Sequence, residues 1–222
     1  MTERTLRVAT WNVHGLRGGV RAVASAIRAE ELDLVLIQES GPRARLRDLG
    51  RTLGWTVSTD PRVFPRRRVR NALLARPAAA GLIRARFVRF AAGSPWHPRG
   101  ALLAEIDERW TAVSCHLGLQ GPERGRHVTE LRSLLEDATP PIVVGADLNA
   151  LPGDAGPRSL AAPLTDVWEQ VGEGAGPTFP AAGPAARIDY LFVGPGVRAL
   201  RAWTAGGTVS DHRMVVADLR FD

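Results

Sequence analysis

Apolar positions along the chain follow two alternating periods. "LRVATWNV" reads as a strand, and "VRAVASAIRAEEL" after it places Val20, Val23, Ala24 and Ile27 on one helical stripe. "LDLVLIQES" is then a short, almost wholly apolar run, the pattern of a strand covered on both faces. The same order recurs: "WTAVSCHLGL" alternates like a strand, "ERGRHVTELRSLLED" carries Val128, Leu131, Leu134 and Leu135 at helical spacing, and "PPIVVGADLN" closes as a strand. Between these units "NALLARP", "GLIRARFVRF" and "GALLAEID" read as short strands joined by Gly and Pro turns. A helix around "PRSLAAPLTDVWEQV", a Gly/Ala/Pro loop, and the strands "RIDYLFVG" and "HRMVVADLRF" complete the chain. Many strands and few helices imply an α/β fold of two sheets with helices outside.

Composition narrows the class. The 222 residues are 45% hydrophobic and 23% charged, the ordinary globular range, and no linker divides them, so one domain over residues 1–222 is expected. No apolar run is long enough to span a bilayer and the charged N-terminus lacks a signal-peptide core, so a cytoplasmic location is expected. Cys115 is the sole cysteine, which excludes an internal disulfide and a thiolate metal cluster; its alternation with Val113 and Leu117 makes it a core residue. The net charge is +6 and the sequence pI 11.1, but all 29 basic residues are Arg, which keeps its proton to very high pH. The pI therefore overstates a modest charge, and the composition is a weak pointer to a polyanionic partner.

Candidate chemistry sits where the apolar patterns stop. Asn12, Glu39, His116 and Asp147 fall at the ends of four strands, where polar groups in layered α/β folds converge on a ligand crevice. "IVVGADLNA" places Asp147 and Asn149 two apart, on one face if the strand continues, and such a pair is either a turn or a site. Asn71, Asp189, Asp211 and His212 extend the set. Carboxylates gathered in one crevice repel unless a cation neutralises them, and oxygen donors favour Mg²⁺ or Mn²⁺ over zinc, for which the histidines lack ligand spacing. Each residue also has a plain reading: a turn for Asn12, a helix-entry charge for Glu39, an ion pair with Arg187 for Asp189. His14, His97 and His127 are assigned to surface or structural roles.

Seven marks in order, "TWNVHG", "IQES", "RNALLARP", "CHLGL" with "ER" after it, "GADLNA", "RIDYLFV" and "SDH", cover nearly the whole chain. Together they resemble the endonuclease/exonuclease/phosphatase family of metal-dependent phosphoesterases. The resemblance implies a four-layer α/β sandwich of two packed, mostly antiparallel sheets flanked by helices. It makes Glu39 the principal metal ligand, supported by Asn12 and Asp211, with Mg²⁺ or Mn²⁺ as cofactor. Asp147 would orient or deprotonate the attacking water, Asn149 and His116 would donate to phosphoryl oxygens, and His212 would pair with Asp189, which raises its basicity and leaves either His212 or Asp147 as the base. Arg70, Asn71 and Arg124 would contact substrate. The chain departs from the family where Ala146 follows Gly145, where Leu148 replaces an aromatic, where Arg70 stands in place of a common Gly, and where His127 stands in place of a common Gln.

The implied reaction is in-line hydrolysis of a phosphate ester, most simply by a monomeric phosphodiesterase. The alternatives are a DNA endonuclease or exonuclease of the abasic-site repair type and a noncatalytic binding module. The nucleic-acid alternative rests on the Arg62, Arg66, Arg67, Arg68 and Arg70 cluster and on Trp96 near Arg99 as a stacking surface. The competing reading is a solvated, arginine-biased turn followed by a Pro-rich loop.

Overall fold

The computed structural model describes residues 4–60, 68–91, 93 and 96–222. The strands are β1 (Arg4–Asn12), β2 (Leu34–Gln38), β3 (Thr56–Thr59), β4 (Ala72–Ala75), β5 (Ile83–Arg89) and β6 (Gly100–Ile106). They continue with β7 (Trp110–His116), β8 (Ile142–Asp147), β9 (Thr165–Asp166), β10 (Asp189–Val193), β11 (Val197–Ala205) and β12 (Met214–Phe221). The helices are α1 (Val20–Ala29), α2 (Arg43–Leu53), α3 (Gly121–Glu136), α4 (Ala155–Ala161) and α5 (Val167–Val171).

Two six-stranded sheets result, in the orders β11-β12-β1-β2-β4-β3 and β5-β6-β7-β8-β10-β9. Only β1 with β2 and β7 with β8 run parallel, and these are the two strand, helix, strand units; the other pairs are antiparallel. Three apolar clusters define the layers. One lies between the sheets, with Leu6, Val8, Leu36 and Leu73 facing Leu102, Ala104, Val143 and Leu191. A second packs Val128, Leu131 and Leu135 of α3 on the outer face of one sheet, and a third packs α1 and α2 through Val23, Ile27, Leu46 and Leu49 on the other. The order is helix, sheet, sheet, helix, as expected.

Four elements depart from the expected pattern, the first being β3, a four-residue strand that only partly buries its side chains and has no apolar run to mark it. α2 carries five charged residues in "RARLRDLGRTL", so its apolar stripe of Leu46, Leu49 and Leu53 is diluted. β11 pairs with β12 through a register shift between Ala199 and Arg201, and that bulge breaks the alternation by which a strand is recognised. The helix expected around residues 157–171 is split, because Thr165 and Asp166 form β9 at the sheet edge and the Asp166 carboxylate then caps α5 by accepting from Trp168 N–H at 2.9 Å.

The sheets come into close contact at Gly145, two residues before the end of β8. A Cβ added to Gly145 would lie 2.7 Å from Leu36 Cδ1 and 2.8 Å from Thr10 Cβ, both on the facing sheet. Around it, the buried Gln38 amide donates to Gly145 O at 3.2 Å and Ser114 Oγ at 3.2 Å, while Ser114 Oγ donates to Ile37 O at 2.8 Å. Gly145→Ala forces the sheets apart in a packed interior, and we expect a loss of about 1–3 kcal/mol in urea unfolding. A variant as stable as the parent would show that this contact is slack.

Candidate active site

The topology brings the polar strand ends to one place. β1, β2, β7 and β8 all point the same way toward Asn12, Gln38, His116 and Asp147. Antiparallel β10 begins beside the end of β8, with Asp189 opposite Asp147 in register, and β12 begins just after His212 beside the end of β1. Trp11 secures that last segment, its buried indole N–H donating to His212 O at 2.9 Å.

Asp147 is the hub. Its Oδ2 accepts from Asn12 Nδ2 at 2.8 Å, faces His116 Nε2 at 3.2 Å and lies 3.9 Å from His212 Nε2; its Oδ1 accepts from Asn149 N–H at 3.1 Å. The Asp147–Asn149 pair is thus both a turn and part of the cleft, because one carboxylate oxygen closes the turn and the other faces the cluster. Asn12 repeats the device: its Oδ1 accepts from His14 N–H at 3.0 Å while its amide donates to Asp147. Asn149 Nδ2 donates to Leu117 O at 3.1 Å and lies 3.2 Å from His116 Nε2.

The histidines differ in their partners. His212 Nδ1 lies 2.9 Å from Asp189 Oδ2, both buried, so Asp189 pairs with His212 and not with Arg187. Arg187 instead pairs with Asp166 at 2.8 Å. Both His116 nitrogens are occupied: Nδ1 accepts from Arg99 NH1 at 2.8 Å, which puts the ring proton on Nε2, toward Asp147. Arg99 was not among the expected site residues. It immediately precedes Gly100, whose pairing with His116 is a register fact that sequence does not carry, and its guanidinium reaches from His116 to Glu39 Oε1 at 3.9 Å. Trp96 is exposed while Arg99 turns inward.

Glu39 and Asp211 stand at the mouth, with side chains 35% and 40% exposed, and Asp211 Oδ2 lies 3.3 Å from His14 Nδ1. His14, assigned to a surface or structural role, lies at the rim of the cleft. His127 is buried, its Nδ1 accepting from Gly118 N–H at 3.1 Å, a structural role. Asn71 lies between the sheets, donating to Gly100 O at 2.8 Å and Ser114 O at 3.0 Å, and its buried Oδ1 has no partner. Arg70 is exposed beside Glu39 on one groove. Arg124 points its exposed guanidinium at Leu119 O and meets none of the cluster. Arg62, Arg66 and Arg67 lie outside the described residues. His14, Glu39, Arg70 and Asn149 all have left-handed backbone, at φ 45°, 49°, 62° and 49°, a conformation that side-chain-bearing residues hold only under tertiary constraint.

The buried carboxylates and imidazole form a set of the kind that holds a metal ion. Ligand atoms of Asp147, Asp189 and His212 lie within 4.8 Å of one another, all three residues are buried, and Asp189 Oδ1 has no hydrogen-bond partner. Without a cation the electrostatics are unfavourable. Burial pushes the Asp147 carboxyl up, the Asp189 charge adds to this, and the His212 charge and the bonds from Asn12 and Asn149 only partly offset it, leaving a pKa of about 7. Burial works against the His212 proton, but the Asp189 charge and hydrogen bond, with Asp147 and Asp211 behind, outweigh it and lift the pKa to about 9. Burial and the Arg99 charge hold His116 well below the ordinary histidine value, as suits its neutral ring.

A two-sheet sandwich with carboxylates, histidines and amides gathered at its strand ends has the form of a phosphoesterase fold. Residues 9–212 match the sequence profile of the Endonuclease/Exonuclease/phosphatase family, and the chain belongs to that family. An endonuclease/exonuclease/phosphatase family protein of Bacteroides thetaiotaomicron superposes with a TM-score of 0.81 at 15% identity, covering 100% of both chains. The mannosyl-6-phosphatase Bt3783 of the same organism gives 0.80 at 16% identity, over 96% of this chain and 99% of that one. TDP2 of D. rerio complexed with single-strand DNA product gives 0.73 at 18% identity, over 97% and 98%. No curated protein matches the sequence significantly. Among the described residues no helix is long and apolar enough to cross a membrane.

In chelator the folded protein should lose stability as pH rises. Folded His212 keeps its proton to about 9 against an ordinary 6.5, and folded Asp147 to about 7 against 3.8, so through this range the fold binds more protons than the unfolded chain. His116 has the opposite sign but acts only below its ordinary 6.5. We expect the thermal midpoint to fall between pH 6.5 and 9, and His212→Gln to remove most of the slope above pH 7. A midpoint that rises over this window contradicts the assigned pairing.

Proposed function

We propose that the chain is a divalent-metal-dependent phosphodiesterase that hydrolyses a P–O bond by in-line attack of water. The observation that carries this is the Asp147 hub: one carboxylate held by Asn12 and Asn149, flanked by His116 and by the His212–Asp189 pair. Glu39, Asn12 and Asp211 would hold Mg²⁺ or Mn²⁺ at the mouth of the cleft, beside the buried carboxylates of Asp147 and Asp189. The bound ion would neutralise the carboxylates and polarise a phosphoryl oxygen.

The protein's own groups divide the remaining work. Asp147 orients the attacking water and takes its proton, since its oxygens are fixed by donors on three different strand ends. Asp189 fixes the His212 tautomer, so that Nε2–H faces the cleft and donates to phosphoryl oxygen as negative charge builds. His116, with both nitrogens engaged, acts through Asp147 and Arg99 as a positioning residue. The Asn149 amide, on a left-handed backbone at the cleft, supplies a further donor.

A DNA nuclease is the second reading, supported by the fold similarity to a DNA-bound TDP2. Hydrolysis of bis-p-nitrophenyl phosphate, an abasic-site duplex and a phosphomonoester, each with Mn²⁺ and with chelator, separates the two. Chelator-sensitive turnover of the simple diester without duplex incision supports the first, and incision confined to the duplex supports the second. Asp147→Ala and His212→Ala should each lower kcat by about 10² or more while leaving the circular dichroism spectrum intact. Parent-like rates would remove these residues from the reaction. Glu39→Gln should weaken Mn²⁺ binding by calorimetry, and an unchanged affinity would place the ion elsewhere.

A further inference from the structure

Beside Glu39 opens a groove of about 780 Å³, within the size range of small-molecule sites. Among the described residues its walls carry six arginines, Arg17, Arg43, Arg45, Arg47, Arg68 and Arg70, and one carboxylate, Glu39. Such a concentration of one sign is far from the chain's average, in which 29 basic residues are set against 23 acidic ones.

The arginines have different duties. Arg43 and Arg68 are tied to the Asp60 segment: Arg68 Nε donates to Asp60 Oδ1 at 2.8 Å, and Arg43 Nε donates to Asp60 O at 3.2 Å. Arg17 NH1 is 2.9 Å from His14 Nε2. The side chains of Arg45, Arg47 and Arg70 are exposed and make no hydrogen bond or ion pair among the described residues. Arg45 leaves the first turn of α2, which holds no acidic residue, and Asp48, the carboxylate that follows Arg47 on this helix, pairs with Arg51. Arg70 has φ 62°, a conformation glycine adopts without strain, and Ser40 N–H holds it there by donating to Arg70 O at 2.8 Å. A cation is thus kept on strained backbone at the groove wall, next to the proposed scissile site.

We propose that this groove reads a second phosphate group on the substrate, displaced from the scissile phosphate toward α2 and bound by Arg45, Arg47 and Arg70. The proposal rests on the phosphoesterase reading and deepens it by naming the substrate class: a phosphoester that carries at least one further phosphate. Guanidinium groups suit this task because their forked N–H donors match phosphate oxygens two at a time. The phosphate has two sources, a small bisphosphate or the next link of a nucleic-acid strand.

The test compares thymidine 5′-phosphate with thymidine 3′,5′-bisphosphate by calorimetry in Mn²⁺, using the whole chain and its Arg45→Gln/Arg47→Gln variant. The bisphosphate should bind the parent about tenfold or more tighter, with an advantage that shrinks as salt rises, and the variant should bring the two ligands within about twofold. Because both positions are exposed on a helix and Gln is a good helix former, the variant should fold; Arg45→Glu provides a second check and should disfavour the bisphosphate outright. Equal binding of the two ligands by the parent, or an advantage that survives in the variant, overturns the proposal. Turnover of the matching 5′-p-nitrophenyl esters, read on the same samples, separates the two readings. An arginine-dependent binding advantage without chelator-sensitive turnover upholds the second-phosphate site and removes the phosphoesterase reading, and turnover without the advantage does the reverse. A short oligodeoxynucleotide that gains affinity with each added phosphate assigns the source to a strand, and one no tighter than the bisphosphate assigns it to a small molecule.

Discussion

Near their strand ends the two sheets are held against each other, and the geometry of the site is set by that contact. Gly145 leaves room for Leu36 and Thr10 to meet the facing strand, and the Gln38 amide, Ser114 hydroxyl and Asn71 amide link the sheets by hydrogen bonds to backbone and to one another. Farther along the strands the interface is apolar, filled by leucine, valine and alanine. Buried backbone and side-chain polar groups must find partners, so the polar contacts collect where the strands end and the carbonyl ladder runs out. That requirement holds β1, β2, β7 and β8 together at the end from which the candidate site is built.

The same ends concentrate charge in a setting that water does not screen well. Asp147 and Asp189 are opposite one another on adjacent antiparallel strands, a like-charge pairing that a fold without a cation or a protonated partner would not favour. His212 supplies one compensation by its bond to Asp189, and Asn12 and the Asn149 N–H supply others to Asp147. Backbone geometry is bent to the same purpose. Glu39 and Asn149 leave their strands in left-handed conformations that turn the chain sharply at the cleft, and Asp147 and Asn12 each close such a turn with one side-chain oxygen or amide while presenting the other to the site.

Local interactions made much of this legible before any coordinates. The two strand, helix, strand units, the buried Cys115, the apolar faces of α1 and α3 and the polar strand ends all follow from spacing within a few residues. α2 and β11 were obscured for identifiable reasons. α2 keeps Gly50 because a Cβ there would press on Val57 Cγ2 at 2.3 Å, and its charged residues face a groove, so packing and surface charge override helix preference. A bulge in β11 slips the alternation by one residue.

Spacing along the chain therefore yields most of the inventory: which segments are extended or helical, apart from α2, β3 and β11, and which polar residues close them. Its motif order also carried the family, since those marks lie on successive strand ends. The partners are set by the assembled sheets. That Asp189 bonds His212 and not Arg187, that Arg99 reaches His116, that His14 joins the rim and Arg124 does not meet the cluster all depend on strand register and on the seating of one sheet against the other. Sequence spacing governs contacts within a turn or a strand, whereas these pairs are joined across long separations, by packing that exists only once both sheets have formed.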